Sequence, residues 1–230
     1  MVDRSSIDIT GFRIIPSRYP SIWLFEDVSN PEEFDALYKL ESMTNPRISE
    51  EVGDITLLSK DEQVFGEGTS PIMAAFTHIK PEGDRFTDGS FGAFYASDSI
   101  ECAVYETAYH RAQYFASINE PPCEIEMRVY TANIQGALVD IRDLDRYGDY
   151  HNKDSYGESQ RFGREQKDAG EFGIVYLSVR YDGGTNVAVF RPKGVINNCK
   201  ELKYLKYQWD GKKITNVYEI SGARVICYRS

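Results

Sequence analysis

The sequence predicts an α+β domain, a mainly antiparallel central sheet with a few flanking helices. Three observations predict it. "CEIEMRVY" (123–130) alternates strictly between apolar and charged residues, the mark of a strand with one wet face. "GIVYLSVR" (173–180) and "VAVFRP" (187–192) are short apolar runs separated by "YDGGTN", a hairpin pattern. Helical periodicity is confined to a few stretches, and no repeat or linker divides the 230 residues into separate domains.

Residues 1–70 read as an irregular lead-in packed on the same domain around one helix. In "SNPEEFDALYKLESM" (29–43), Asn30 fits the N-cap, Pro31 the first helical position, and Glu32 and Glu33 the positive helix end. Phe34, Leu37 and Tyr38 recur at helical spacing, so one face should dock, and "TNPR" (44–47) ends the helix. "GAFYAS" (92–97) is aromatic-rich and short enough for a strand. "SDS" (97–99) then offers caps for a helix striped by Ile100, Ala103, Val104, Ala108 and Phe115. At about 100° per residue, Glu106 falls beside that stripe, one turn before His110, where a half-buried carboxylate facing a cleft would lie.

Beyond it, Ile125, Met127 and Val129 should face the core and Glu124, Glu126 and Arg128 should face water. The polar, tyrosine-rich residues 140–170 read as a long excursion with one helix near 156–168. Asp182, Gly183 and Gly184 mark the hairpin turn. The strand before it is apolar enough to be buried on both faces, with Ser178 and Arg180 sharing one. "YQWDGKKITNVYEI" (207–220) gives a last turn and strand.

Composition excludes several functions. Apolar residues make up 41% and aromatic residues 13%, which suits an ordered domain. A net charge of −10 argues against a general nucleic-acid surface, so an anionic ligand would need a local arginine cluster. "MVDRSSIDITG" lacks the basic and apolar regions of a signal peptide, and no apolar run approaches the roughly 18 residues of a membrane span. Cys102, Cys123, Cys199 and Cys227 are scattered without a CxxC pair. They read as free, mostly buried thiols of a cytoplasmic protein, and three distant histidines give a metal site no support.

Residue by residue, the plain readings compete well. Arg85 between Asp84 and Phe86 could be a solvated loop arginine. Gly83 and Gly89, however, would let backbone approach a ligand that a guanidinium could grip bidentately. Tyr95 could be core packing or a stacking ring, Glu106 a surface glutamate, and Ser178 a small backbone-satisfied residue.

Taken together, "GDRFTDGSFGAFYAS" (83–97), "AVYETAYHR" (103–111) and "GIVYLSVR" resemble the RES domain, whose three name-giving residues match Arg85, Glu106 and Ser178. Tyr95 matches the family's tyrosine between the first two. "TNPR", "FTH" (76–78), "EMRVY" (126–130), "AVFRP" (188–192) and "WDG" (209–211) extend the similarity over about residues 40–215. It departs at Tyr204, where relatives carry a histidine. The resemblance implies a catalytic domain over residues 71–230 with a fold like that of ADP-ribosyltransferase toxins. It implies the toxin half of a bacterial toxin–antitoxin pair with an Xre-type helix-turn-helix antitoxin, acting on NAD, and it leaves room for a homodimer.

NAD would be a substrate rather than a bound cofactor, with inorganic phosphate as expected co-substrate. Protein ADP-ribosylation is the alternative outcome, and a catalytically silent binding module is an alternative of another class. In these roles Glu106 would stabilise the cationic ribose, Arg85 would hold the pyrophosphate or the incoming phosphate, and Tyr95 would pack on nicotinamide or its ribose. Ser178 would fix orientation by hydrogen bonding. His78 of "FTH" could assist with phosphate, against the plainer reading of a structural histidine.

Overall fold

A computed structural model describes residues 2–18, 23–193, 196–220 and 225–226. The first half comprises β1 (Arg4–Pro16), α1 (Pro31–Glu41), α2 (Ile48–Val52), α3 (Ser70–Thr77), β2 (Phe94–Ser97) and α4 (Ile100–Ser117). The second comprises β3 (Cys123–Asp140), α5 (Leu144–Tyr147), α6 (Gly157–Asp168), β4 (Gly173–Leu177), β5 (Thr185–Val189), β6 (Ile196–Trp209), β7 (Ile214–Glu219) and β8 (Val225–Ile226).

Local chemistry fixes α1 and α4 where the sequence places them, whereas α2, α3 and α5 are additional to the helices expected and residues 1–70 hold more than the one helix foreseen. Asn30 Oδ1 accepts from the Glu33 amide at 2.9 Å while Glu33 Oε2 accepts from the Ser29 amide at 2.8 Å, a reciprocal cap. Ser99 caps α4 by accepting from the Cys102 amide at 3.2 Å.

β3 organises the sheet. Its 18 residues pair antiparallel with all of β1, from Arg4↔Val139 to Pro16↔Met127. Its other edge takes β6 antiparallel, then β4 in a short parallel pairing at Val139 and Asp140. β4 pairs with β5, β5 with β2, and β2 returns to β1 at the pair Phe12↔Ser97. Five strands thus form a closed circuit, from which β6, β7 and β8 extend as a flap. The sheet is mainly antiparallel, as expected.

The two faces of the sheet are buried differently. One lies under α1 and α3, with Phe94, Ala96, Ile134, Val175 and Val187 against Phe34, Met73 and Phe76. The opposite face carries two separate cores. Ile14, Met127, Val129 and Tyr207 pack under α4, and Val139, Ile174, Tyr176 and Ala188 pack under Phe86, Tyr147 and Phe162.

Several local expectations need correction. Residues 4–16 are a regular strand, not an irregular lead-in. Ile7 and Ile9 enter the core under α1 and α3, whereas Phe12 and Ile14 enter the core under α4. Ile15 returns to the core under α1 and α3, so β1 keeps its period of two but is buried on both faces over its second half, and the one-sided apolar alternation is lost there. Arg128 is 7% exposed rather than wet, beside Tyr130 and 3.7 Å from Glu201 on β6. Only Glu124 and Glu126 keep the solvent-facing side of that alternation. Cys102 and Cys199 are buried and Cys123 is half-buried, all as free thiols; Cys227 lies outside the described residues. Among the described residues no helix is long and apolar enough to cross a membrane, and no cluster of ligating side chains is placed to hold a metal.

Gly11 lets β1 approach β2. A Cβ there would sit 2.7 Å from Ile134 Cδ1 and 2.9 Å from Ala96 Cβ. Gly11→Ala should cost about 1–3 kcal/mol of stability through overpacking, measured as a lower urea midpoint. An unchanged midpoint would show that the two strands have slack.

Candidate active site

β1 and β2 meet at one residue pair and then part, and α4 crosses beside the opening. A cleft of about 260 Å³ results, lying between the two cores of one sheet face. Arg13 of β1 spans the gap by donating from Nη1 to the Tyr95 carbonyl at 3.1 Å. Arg85, Tyr95 and Glu106 line the cleft, so the structure brings three of the sequence-selected residues together.

Glu106 projects from α4 and is half-buried. Its Oε1 accepts two hydrogen bonds, from Ser178 Oγ at 2.7 Å and from Asn186 Nδ2 at 2.8 Å. Its Oε2 takes no hydrogen bond from the described residues. Ser178 reaches this oxygen from outside the cleft lining, one residue beyond β4 rather than within the strand as expected. The reason is local. Ser178 Oγ accepts from the Arg180 and Tyr181 amides at 3.1 and 3.0 Å, closing a turn that the strand cannot continue through.

Arg85 is not a solvated loop residue. It is 7% exposed at the tip of a tight turn closed between Asp84 and Thr87. Nη1 donates to the carbonyls of Tyr150 and Asn152 at 3.3 and 2.8 Å, and the guanidinium lies over the Tyr156 ring at 4.6 Å. Nε and Nη2 have no hydrogen-bond partner among the described residues, so half of the fork is open to an anion. Gly83 and Gly89 serve the loop itself, not a ligand. Both have positive φ, and a Cβ would strike the Thr87 carbonyl at 1.9 Å or the Pro81 carbonyl at 2.1 Å.

Tyr95 supports that loop from β2, its hydroxyl accepting from the Phe86 amide at 3.0 Å. Burial pushes its phenol far above the ordinary range, so it remains neutral. α6 braces the loop from the other side. Gln160 donates to the Asp84 carbonyl at 3.1 Å, and Arg164 grips Asp88. His78 lies at the cleft rim, but both ring nitrogens are occupied. Nε2 donates to the Glu50 carbonyl at 3.0 Å and Nδ1 meets the Thr77 hydroxyl at 3.2 Å, which ties α3 to α2.

Two further cleft residues were not singled out from the sequence. Asn186 is a polar residue inside the otherwise apolar "TNVAV" of β5, and Arg13 interrupts the apolar run "FRII" of β1. In each case the signal is one polar side chain at an inward position. With Lys80 and Arg111, Arg13 and Arg85 set four cations around the cleft of a chain whose net charge is −10, of which Lys80 is paired with the lining carboxylate of Asp84 at 2.5 Å.

Residues 63–210 match the RES domain family model, and the chain belongs to that family. Arg85, Tyr95, Glu106 and Ser178 lie inside the matched span, and Arg13 precedes it. The chain is 26% identical over 222 residues to the uncharacterized protein y4oC of Sinorhizobium fredii, covering 96% of this chain and 92% of that one. Among solved structures, the MbcT–MbcA toxin–antitoxin complex of M. tuberculosis aligns with 86% of each chain at a TM-score of 0.47 and 14% identity.

Two histidines give the domain a pH signature. Burial pushes His110 and His151 below their ordinary value of 6.5, so the unfolded chain binds protons more readily than the folded one. Stability should be fully present above about pH 6.5 and fall as pH drops through the lowered folded-state values. Urea midpoints should therefore be flat from about pH 8 to 7 and decline toward about pH 5. A flat profile across that whole range would contradict the burial of these rings.

Proposed function

We propose that this chain is the toxin of a bacterial toxin–antitoxin pair, and that it cleaves NAD at the nicotinamide–ribose bond with phosphate as acceptor. The observation that carries the reading is the meeting in one cleft of a half-open guanidinium with a carboxylate tethered by one oxygen. Family membership supports NAD as the substrate, since the resemblance to the RES domain implies NAD-consuming chemistry.

The chemistry follows from charge. As the C1′–N bond breaks, its electron pair returns to the pyridinium nitrogen and nicotinamide leaves neutral, so no strong acid is required. Positive charge grows on the ribose, and the open Glu106 Oε2 offers the fixed negative charge that becomes more favourable as bond breaking proceeds. Hydrogen phosphate dianion then bonds to C1′ through one oxygen, giving ADP-ribose phosphate, which releases its remaining acidic proton to solvent. Arg85 presents Nε and Nη2 to the pyrophosphate or the incoming phosphate, aided by the field of Arg13 and Arg111. Tyr95 acts by fixing the Arg85 loop, with its ring along the cleft wall, and Ser178 orients the carboxylate. An enzyme that drains NAD in its own cytoplasm must be blocked, and the partner that fits this reading is an Xre-type helix-turn-helix antitoxin covering the cleft.

The test is incubation of the purified protein with NAD, with and without phosphate, alongside Glu106→Gln. The expected product is phosphorylated ADP-ribose, formed at a rate that rises with phosphate. Glu106→Gln should lower kcat by about 10²–10³-fold with KM little changed, because ground-state NAD lacks the ribose charge. Plain ADP-ribose independent of phosphate would indicate hydrolysis, and label on protein would indicate ADP-ribosylation. A folded Glu106→Gln protein with undiminished rate would remove this carboxylate from the mechanism.

A further inference from the structure

We infer that Asn186 is a positioning residue for NAD cleavage, holding Oε1 of Glu106 so that Oε2 faces the substrate. This rests on Glu106 being the reacting carboxylate. Asn186 sits on β5 between its neighbours Ser97 on β2 and Tyr176 on β4, and it is 3% exposed. Its Oδ1 accepts from Ser97 Oγ at 2.6 Å and from Cys102 Sγ at 3.4 Å, and its Nδ2 donates to Glu106 Oε1 at 2.8 Å.

The direction of the amide is determined by this chemistry. The carboxylate can only accept, so it must face the NH2 end. The carbonyl end is left for the hydroxyl of Ser97 and the thiol of Cys102. Burial keeps that thiol protonated as a donor, raising it to about 11. A flipped amide would set oxygen against oxygen at Glu106 in a buried setting, where the penalty is greatest.

A purely structural role accounts poorly for this residue. Its strand neighbours Val187, Ala188 and Val189 are apolar and fully buried, and the ladder to β2 and β4 uses backbone groups alone. An apolar residue would satisfy the strand without desolvating an amide. What the amide adds is a second hydrogen bond to the same oxygen that Ser178 engages. Two donors from two different elements, β5 and the turn after β4, remove the torsional freedom of a carboxylate on a helix.

The experiment compares pH–rate profiles and KM for NAD cleavage by wild type, Asn186→Asp, Asn186→Ala and Glu106→Gln. Asn186→Asp keeps the shape but sets a second acid against Glu106. The pair should then titrate together, moving the acid limb of kcat upward by about one pH unit or more. Asn186→Ala should lower kcat about 10- to 100-fold, the weight of one hydrogen bond to a charged group, with KM within about threefold. An acid limb and kcat that match wild type, while Glu106→Gln is inactive, would overturn the positioning role alone. Failure of wild type to cleave NAD, or full activity of Glu106→Gln, would withdraw the catalytic reading of Glu106 and the positioning role with it. If neither Asn186 variant folds, Ser97→Ala carries the test, because it removes only the hydroxyl that orients the amide. A severalfold drop in kcat at constant KM would support the assignment, and an unchanged kcat would overturn it.

Discussion

The single residue pair Phe12↔Ser97 is the constraint on which the site depends. β1 is bound along its whole length to β3, whereas β2 belongs to the hairpin side of the sheet through β5. The two strands touch once and diverge, because one follows the core under α4 and the other follows the core under Phe86 and Phe162. A sheet buried continuously on that face would have no room for a ligand. Here the gap between two cores becomes the cleft, and Glu106 reaches it from α4 while Arg85 reaches it from the opposite bank.

Arg85 shows why the polar excursion 141–172 is present at all. Burying a guanidinium in a domain is costly unless its donors are met. The carbonyls of Tyr150 and Asn152 meet one nitrogen, and the Tyr156 ring covers the face. This is enough to fix the fork in place but not enough to exhaust it. The remaining donors, together with Arg13 and Arg111, leave the cleft locally positive in an acidic chain, Lys80 being paired with Asp84 at 2.5 Å. Electrostatic preorganisation of this kind acts most strongly where water is excluded and the charges cannot relax.

The elements with local signals were legible in the sequence. α1 and α4 announced themselves through Asn30 and Ser99 as caps, and the hairpin of β4 and β5 through Asp182, Gly183 and Gly184. The placement of Glu106 beside the α4 stripe, facing a cleft, follows from helical geometry alone. What escaped depends on tertiary context. β1 is buried on both faces over its second half, so its apolar residues show no one-sided alternation, and Arg128 lies on the face of β3 that carries Tyr130, Ala132 and Ile134 into the core under α1 and α3. Gly83 and Gly89 signalled a close approach correctly, but the approaching group is the loop's own backbone. The partnership of Ser178 and Asn186 on one oxygen joins residues 72 and 80 positions from Glu106, a coincidence that no local pattern encodes.

The most direct measurement of the central claim is a crystal structure of the Glu106→Gln variant soaked with NAD. The dinucleotide should lie in the opening between β1 and β2, its nicotinamide ribose hydroxyls within hydrogen-bonding distance of position 106. A phosphate oxygen should lie on Nε or Nη2 of Arg85. NAD bound elsewhere, for instance in the surface groove bordered by Pro16, Tyr114 and Ile125, with the cleft containing only solvent, would contradict it.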